Sequence, residues 1–169
     1  RISAPFIAFA GVAPDESIID VGCGTGSLTF AYGDAANIKR VVGVDLSDVY
    51  LEDARSRNRD DRVAFEKGDA TSLRFADATF DRGVSMLVLQ FVPDAMRAIR
   101  EMKRVVRPGG VVAAAVWASF GGMTAQRVAA TCCSNSFEPS GTPLAVTARR
   151  IASSVMAAER VGSKVAVGL

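Results

Sequence analysis

Apolar positions along this chain fall into two alternating kinds of run. Short continuous runs, Ser17–Val21, residues 41–45, Val63–Lys67, residues 80–89 and residues 111–117, carry the signature of strands buried on both faces. Between them lie segments with helical spacing. Residues 2–10 predict an entry helix covering one sheet edge, and residues 27–36 a helix weakened by Gly33. Residues 48–58 predict a third helix, with Ser47 as its cap and Asp48 in its first turn. Pro93-Asp94 opens a fourth, whose apolar positions Ala95, Met96, Ile99, Met102, Val105 and Val106 recur by threes and fours until Arg107-Pro108-Gly109-Gly110 stops it. Strands alternating with helices predict an α/β fold, a Rossmann-like doubly wound parallel sheet with helices on both faces.

Beyond about Gly122 the pattern fades. Residues 125–130 predict a short helix, residues 131–143 a loop, residues 145–160 an amphipathic helix and residues 161–169 a final strand. The expectation is one domain over residues 1–169, well patterned to residue 122 and divergent after it. The start at Arg1 instead of Met reads as a fragment or a trimmed product.

Composition adds exclusions. The 49% apolar and 22% charged fractions suit a folded domain. Twenty Lys and Arg against 18 Asp and Glu leave +2, which argues for neither a nucleic-acid nor a membrane-surface partner. The densest basic stretch, residues 97–107, alternates with apolar positions as a solvated helix face does. The three cysteines, Cys23, Cys132 and Cys133, have neither disulfide geometry nor metal-ligand spacing, and the chain has no histidine, so no metal is expected. With no apolar run near 18 residues and no leader layout, the expected setting is cytoplasmic, without a membrane span.

The chemistry-bearing residues cluster at strand ends, where open parallel sheets bind ligands. Gly22, Gly24 and Gly26 follow the first strand directly, a placement that lets backbone turn tightly and approach a ligand. Their spacing is G-x-G-x-G. The dinucleotide form needs glycine at position 27, which here is Ser27. Asp20, two residues before the first glycine, suits a cationic amine and opposes a pyrophosphate. An amino-acid-bearing nucleoside therefore fits better than NAD. Asp45, ending the second strand, has two acceptor oxygens for a pair of ribose hydroxyls, and Asp69 lies in reach of an exocyclic amine on a base. Plainer roles stand beside these: Asp20 or Asp45 as helix caps, Asp69 as an Asx-turn residue, Gln90 as an ordinary helix-entry residue, Met86, Met96 and Met102 as core. Cys23, with no histidine to activate it, is a small loop residue instead of a nucleophile.

Five blocks, IIDVGCGTG (18–26), VVGVDLS (41–47), FEKGDA (65–70), FDRGVSMLVLQFVPD (80–94) and VVRPGG (105–110), resemble in order and spacing the class I S-adenosylmethionine-dependent methyltransferases, in particular the small-molecule branch related to ubiquinone/menaquinone C-methyltransferases. The resemblance implies that the loop at Gly22, Cys23, Gly24 and Gly26 wraps the methionine part of S-adenosylmethionine, with Asp20 supporting its ammonium. It implies Asp45 on the ribose, Leu46 packed on the adenine, and Asp69 accepting from the adenine amine while the Ala70 N–H meets a ring nitrogen. Ser85 and Met86 then line the methyl side, with Gln90 near the transferred methyl. The implied reaction is direct in-line transfer to a small-molecule acceptor; a non-catalytic nucleoside-binding fragment and an NAD-type oxidoreductase are the competing readings. Members of the family end in a helix and an antiparallel strand pair, of which this chain's tail predicts one strand. Catalytic base, acceptor and oligomeric state are left open.

Overall fold

A computed structural model describes residues 2–35, 37–119, 126–134, 147–151 and 155–159, with side chains to residue 116. The strands β1 (Ser17–Val21), β2 (Arg40–Asp45), β3 (Val63–Lys67), β4 (Phe80–Met86), β5 (Val106–Ser119), β6 (Gln126–Ser134), β7 (Thr147–Ile151) and β8 (Val155–Glu159) form one sheet in the order β3-β2-β1-β4-β5-β6-β8-β7. The first five are mutually parallel. β1 sits between β2 and β4, with Ile19 opposite Val42 on one side and Gly83 on the other, so all five of its residues are buried. Strand order runs outward both ways from β1 and β4, which makes their boundary the switch point.

Alternating residues serve two cores. Ile18 and Val41 face helices α1 (Ser3–Ala10), α2 (Ser27–Ala35) and α3 (Asp48–Arg57), and pack with Phe6, Leu28, Tyr32 and Leu51. Ile19, Val21, Val42 and Val44 face the opposite way, onto Met102 and Val105 of α4 (Ala95–Val105). The expected Ser47 cap is present, its hydroxyl accepting the Tyr50 N–H at 3.4 Å; at α4 the structure adds a second, Asp94 accepting the Arg97 N–H at 2.8 Å. Along α4, Ala98, Met102 and Val105 are buried, whereas Met96, in the first turn, is 45% exposed.

The entry helix differs from expectation. It lies on the sheet face beside α2 and over β5, not along an edge. Its start touches the glycine-loop end, where the Ser3 hydroxyl reaches the Ser27 carbonyl at 3.5 Å. Its end is held by Arg82 of β4, which donates to the Ala10 carbonyl and pairs with Glu16 through two bonds of 2.8 and 2.9 Å. Both partners are nearly enclosed, with side-chain exposures of 7% and 13%.

Three further expectations are corrected. β4 ends at Met86, not at 89, because Leu87 adopts φ +62° and turns the chain into a short 3-10 helix, Leu89–Phe91. The Pro-Gly-Gly stop lies within β5, as a break in register: Phe80 pairs Val106, but Arg82 pairs Val111. The helices expected over 125–130 and 145–160 are strands where described, and residues 131–134 of the expected loop belong to β6. β6 runs antiparallel to β5 over its whole length, satisfying the backbone groups of an otherwise open sheet edge, and this pairing overrides a local alanine-rich composition. The remaining tail positions, including the strand expected at 161–169, lie outside the described residues.

Candidate functional site

Five of the sequence-predicted residues meet in one cavity at the carboxyl ends of the strands. A space of about 470 Å³ is lined by Gly22, Asp45, Leu46, Asp69 and Ala70, together with residues that strand-end reasoning passed over, notably Val88, Phe91, Pro93 and Arg97. The missed residues come from the segment joining β4 to α4. Its signal was the helix-opening Pro93-Asp94 pair close after a strand end, a position that faces the same crevice.

The glycine loop is tied down from beneath. The Gly22 and Cys23 N–H groups both donate to the Val44 carbonyl, at 2.7 and 3.0 Å, and the Gly26 N–H to the Cys23 carbonyl at 2.9 Å. Gly22, Gly24 and Gly26 all have positive φ, at +76°, +54° and +85°. The close approaches they permit are not all toward a ligand. A Cβ at Gly22 would strike the Val88 side chain at 2.3 Å, and one at Gly26 would strike Phe65 at 2.8 Å; only Gly24 has open space above it. Two of the three glycines therefore let side chains close over the loop, and Gly24 presents bare backbone.

Asp45 connects this loop to α3. Its Oδ2 accepts the Gly24 N–H at 2.8 Å and its Oδ1 accepts the Ser47 N–H at 2.9 Å. Each oxygen keeps acceptor capacity for one further donor, the arrangement a vicinal diol matches. Across the cavity, Asp69 Oδ1 accepts both the backbone N–H and the hydroxyl of Thr71, each at 2.8 Å, and these bonds hold its carboxyl below the ordinary range. The Asx-turn reading of Asp69 is thus correct, and it coexists with a place on the cavity wall.

Asp20 lies beneath the loop and does not line the cavity. It is 1% exposed; Oδ2 accepts the Thr29 hydroxyl at 2.6 Å, and Oδ1 is buried without a hydrogen-bond partner. Burial raises its carboxyl to about 7, against the Thr29 bond and with help from the Asp45 charge. Between the ordinary value of 3.8 and about 7 the folded chain keeps a proton that the unfolded chain has lost, so this group's contribution to stability declines as pH rises through that window and is level above it. Asp20→Asn removes the dependence: urea midpoints of the ligand-free protein fall from pH 5 to pH 8 in the wild type more than in the variant, and parallel pH profiles would contradict the assignment.

The remaining predicted positions lie off the cavity. Cys23 is buried, and burial followed by the charges of Asp20 and Asp45 pushes its thiol up, away from the reactive thiolate. Ser85 is fully buried with no partner for its hydroxyl, and Met86 packs into the α1–α3 core. Gln90 is exposed and donates to the Leu87 carbonyl at 2.9 Å.

A doubly wound parallel sheet with an acid-flanked glycine loop and a crevice at the switch point defines a Rossmann-like nucleoside-binding class. Residues 19–114, more than half the chain, match the family model described as a methyltransferase domain, and the chain belongs to this family of class I S-adenosylmethionine-dependent methyltransferases. It is 36% identical over 111 residues to a 27-O-demethylrifamycin SV methyltransferase of Amycolatopsis mediterranei, a match covering 62% of this chain and 40% of that protein. It is 39% identical over 113 residues to a demethylmenaquinone methyltransferase of Symbiobacterium thermophilum, covering 62% and 44%. Among solved structures it superposes on the [4+2]-cyclase SpnF with a TM-score of 0.66 at 29% identity, over 72% of this chain and 46% of that one. The chain spans about two fifths of the length of the curated relatives it matches. Among the described residues, no helix is long and apolar enough to cross a membrane.

Proposed function

We propose that the chain binds S-adenosylmethionine in the strand-end cavity and serves methyl transfer to a small-molecule acceptor. The gathering of Gly22, Asp45, Leu46, Asp69 and Ala70 on one cavity carries this reading, because the five come from three separate strand ends. Asp45 would take the ribose hydroxyls with its remaining acceptor capacity. Leu46, 63% exposed, would pack on the adenine, and Asp69 and Ala70 would meet its amine and ring edge. Asp20, buried beneath the loop with an orphaned oxygen, would offer that acceptor to the ammonium of the methionine part, and the cation would draw its raised carboxyl back to the ionised form. The pyrophosphate of a dinucleotide would oppose that ionisation.

When bound, the cofactor supplies an electrophilic methyl on a sulfonium. What this chain adds is alignment, and exclusion of water by the Val88 and Phe91 segment. The chain has no histidine, and Cys23 is held protonated. An acceptor proton must leave to a carboxylate or a tyrosine, or be absent beforehand. The likeness to a cyclase is a reminder that fold alone does not choose the reaction.

Labelled-methyl transfer to phenolic, quinone-like and amine acceptors tests the proposal. Label moving to at least one acceptor class is the expected outcome. Cofactor binding with no transfer to any of them would remove the catalytic part and leave the binding part.

A further inference from the structure

We infer that Arg97 is a positioning residue, which through Thr71 aligns Asp69 to read the exocyclic amine of a bound adenine; this rests on the cofactor reading above. The geometry is a relay across the cavity. Asp94 caps α4 by accepting the Arg97 backbone N–H at 2.8 Å, which fixes Arg97 in the first turn. From there its Nε donates to the Thr71 carbonyl at 2.9 Å. Thr71 in turn donates both its N–H and its hydroxyl to Asp69 Oδ1. Asp69, Thr71, Asp94 and Arg97 all line the same cavity.

With Oδ1 doubly engaged, Oδ2 is the oxygen left for a ligand, and its direction follows from the Thr71 turn. The turn belongs to the β3–β4 connection, while Arg97 belongs to α4, so the helix sets where the turn stands. The nearby guanidinium also favours the ionised carboxylate, which accepts only and therefore selects a donor such as an amine. A residue with this role affects recognition of one group on the ligand more than stability or overall affinity.

The test compares S-adenosylhomocysteine with its analogue lacking the exocyclic amine, by calorimetric titration of the chain, and reads the ratio of the two dissociation constants. In the wild type the ratio favours the amine-bearing compound. Arg97→Met lowers that preference by about fivefold, the scale of one hydrogen bond, with an unchanged thermal midpoint. Arg97→Lys, which keeps a donor, loses less. In an Asp69→Asn background Arg97→Met changes the preference no further. An unchanged ratio in the methionine variant, or equal weakening for both compounds, overturns the inference; if that variant does not fold, either result in Arg97→Ala, which also lacks a donor to Thr71, does so. A wild type that binds both compounds without preference also overturns it, whereas one that binds neither overturns the cofactor reading itself.

Discussion

Replacing Asp45 with alanine is expected to weaken S-adenosylmethionine binding by about tenfold or more, the cost of losing charge-assisted bonds to a ligand. The structure gives the substitution a second consequence. Asp45 also accepts the N–H groups of Gly24 and Ser47, so alanine releases the open corner of the glycine loop and the entrance to α3 together. Asp45→Asn separates the two effects. One amide oxygen remains for a single backbone donor, while the charge and the second acceptor are gone. Titration of wild type, asparagine and alanine proteins is expected to rank their affinities in that order. An alanine variant with wild-type affinity would refute the ribose role.

The largest stability effect is expected at the opposite end of the sheet. Arg82→Met leaves Glu16 nearly buried without its bidentate partner, and leaves the Ala10 carbonyl without the donor that ends α1. Breaking a buried pair from one side costs about 3–5 kcal/mol, a large share of the roughly 5–15 kcal/mol that holds a domain folded. Urea unfolding of the variant reads this directly. The double replacement Arg82→Met with Glu16→Gln is expected to recover part of the loss, because the stranded charge disappears. A single-variant loss below about 1 kcal/mol would show that the pair is screened like a surface bridge.

How far the residues alone disclosed this architecture depends on what kind of fact was asked of them. β1, β2 and β3 were legible because their runs are short, continuous and end on turn residues. The strand-end acids followed from those boundaries. Which way each acid points was not legible, because a strand buried on both faces carries no polar alternation to mark an open side. Asp20 therefore read as a loop-side group, although it shares its face with Ile18 and lies beneath α2. The overlong β4 failed for a different reason. Residues 80–89 are one apolar run, and the break at Leu87 is a positive φ in a residue type that rarely adopts it. The arginines were harder still. Arg82, Arg97 and Arg104 act across long sequence separations, Arg104 binding the Leu73 and Phe75 carbonyls to hold the β3–β4 connection against α4. No local pattern marks a long-range partner. In the tail, alanine-rich stretches suggested helices; β6 paired to the free edge of β5, β8 to β6 and β7 to β8, and these pairings made strands instead.

The ligand proposed for this cavity is an S-adenosyl compound and not a dinucleotide. Titrating the chain with S-adenosylhomocysteine and separately with NAD tests it most directly. Saturable binding of the homocysteine compound is expected, lost or much reduced in Asp45→Ala, with no measurable heat from NAD. Tight NAD binding with no response to S-adenosylhomocysteine would contradict it.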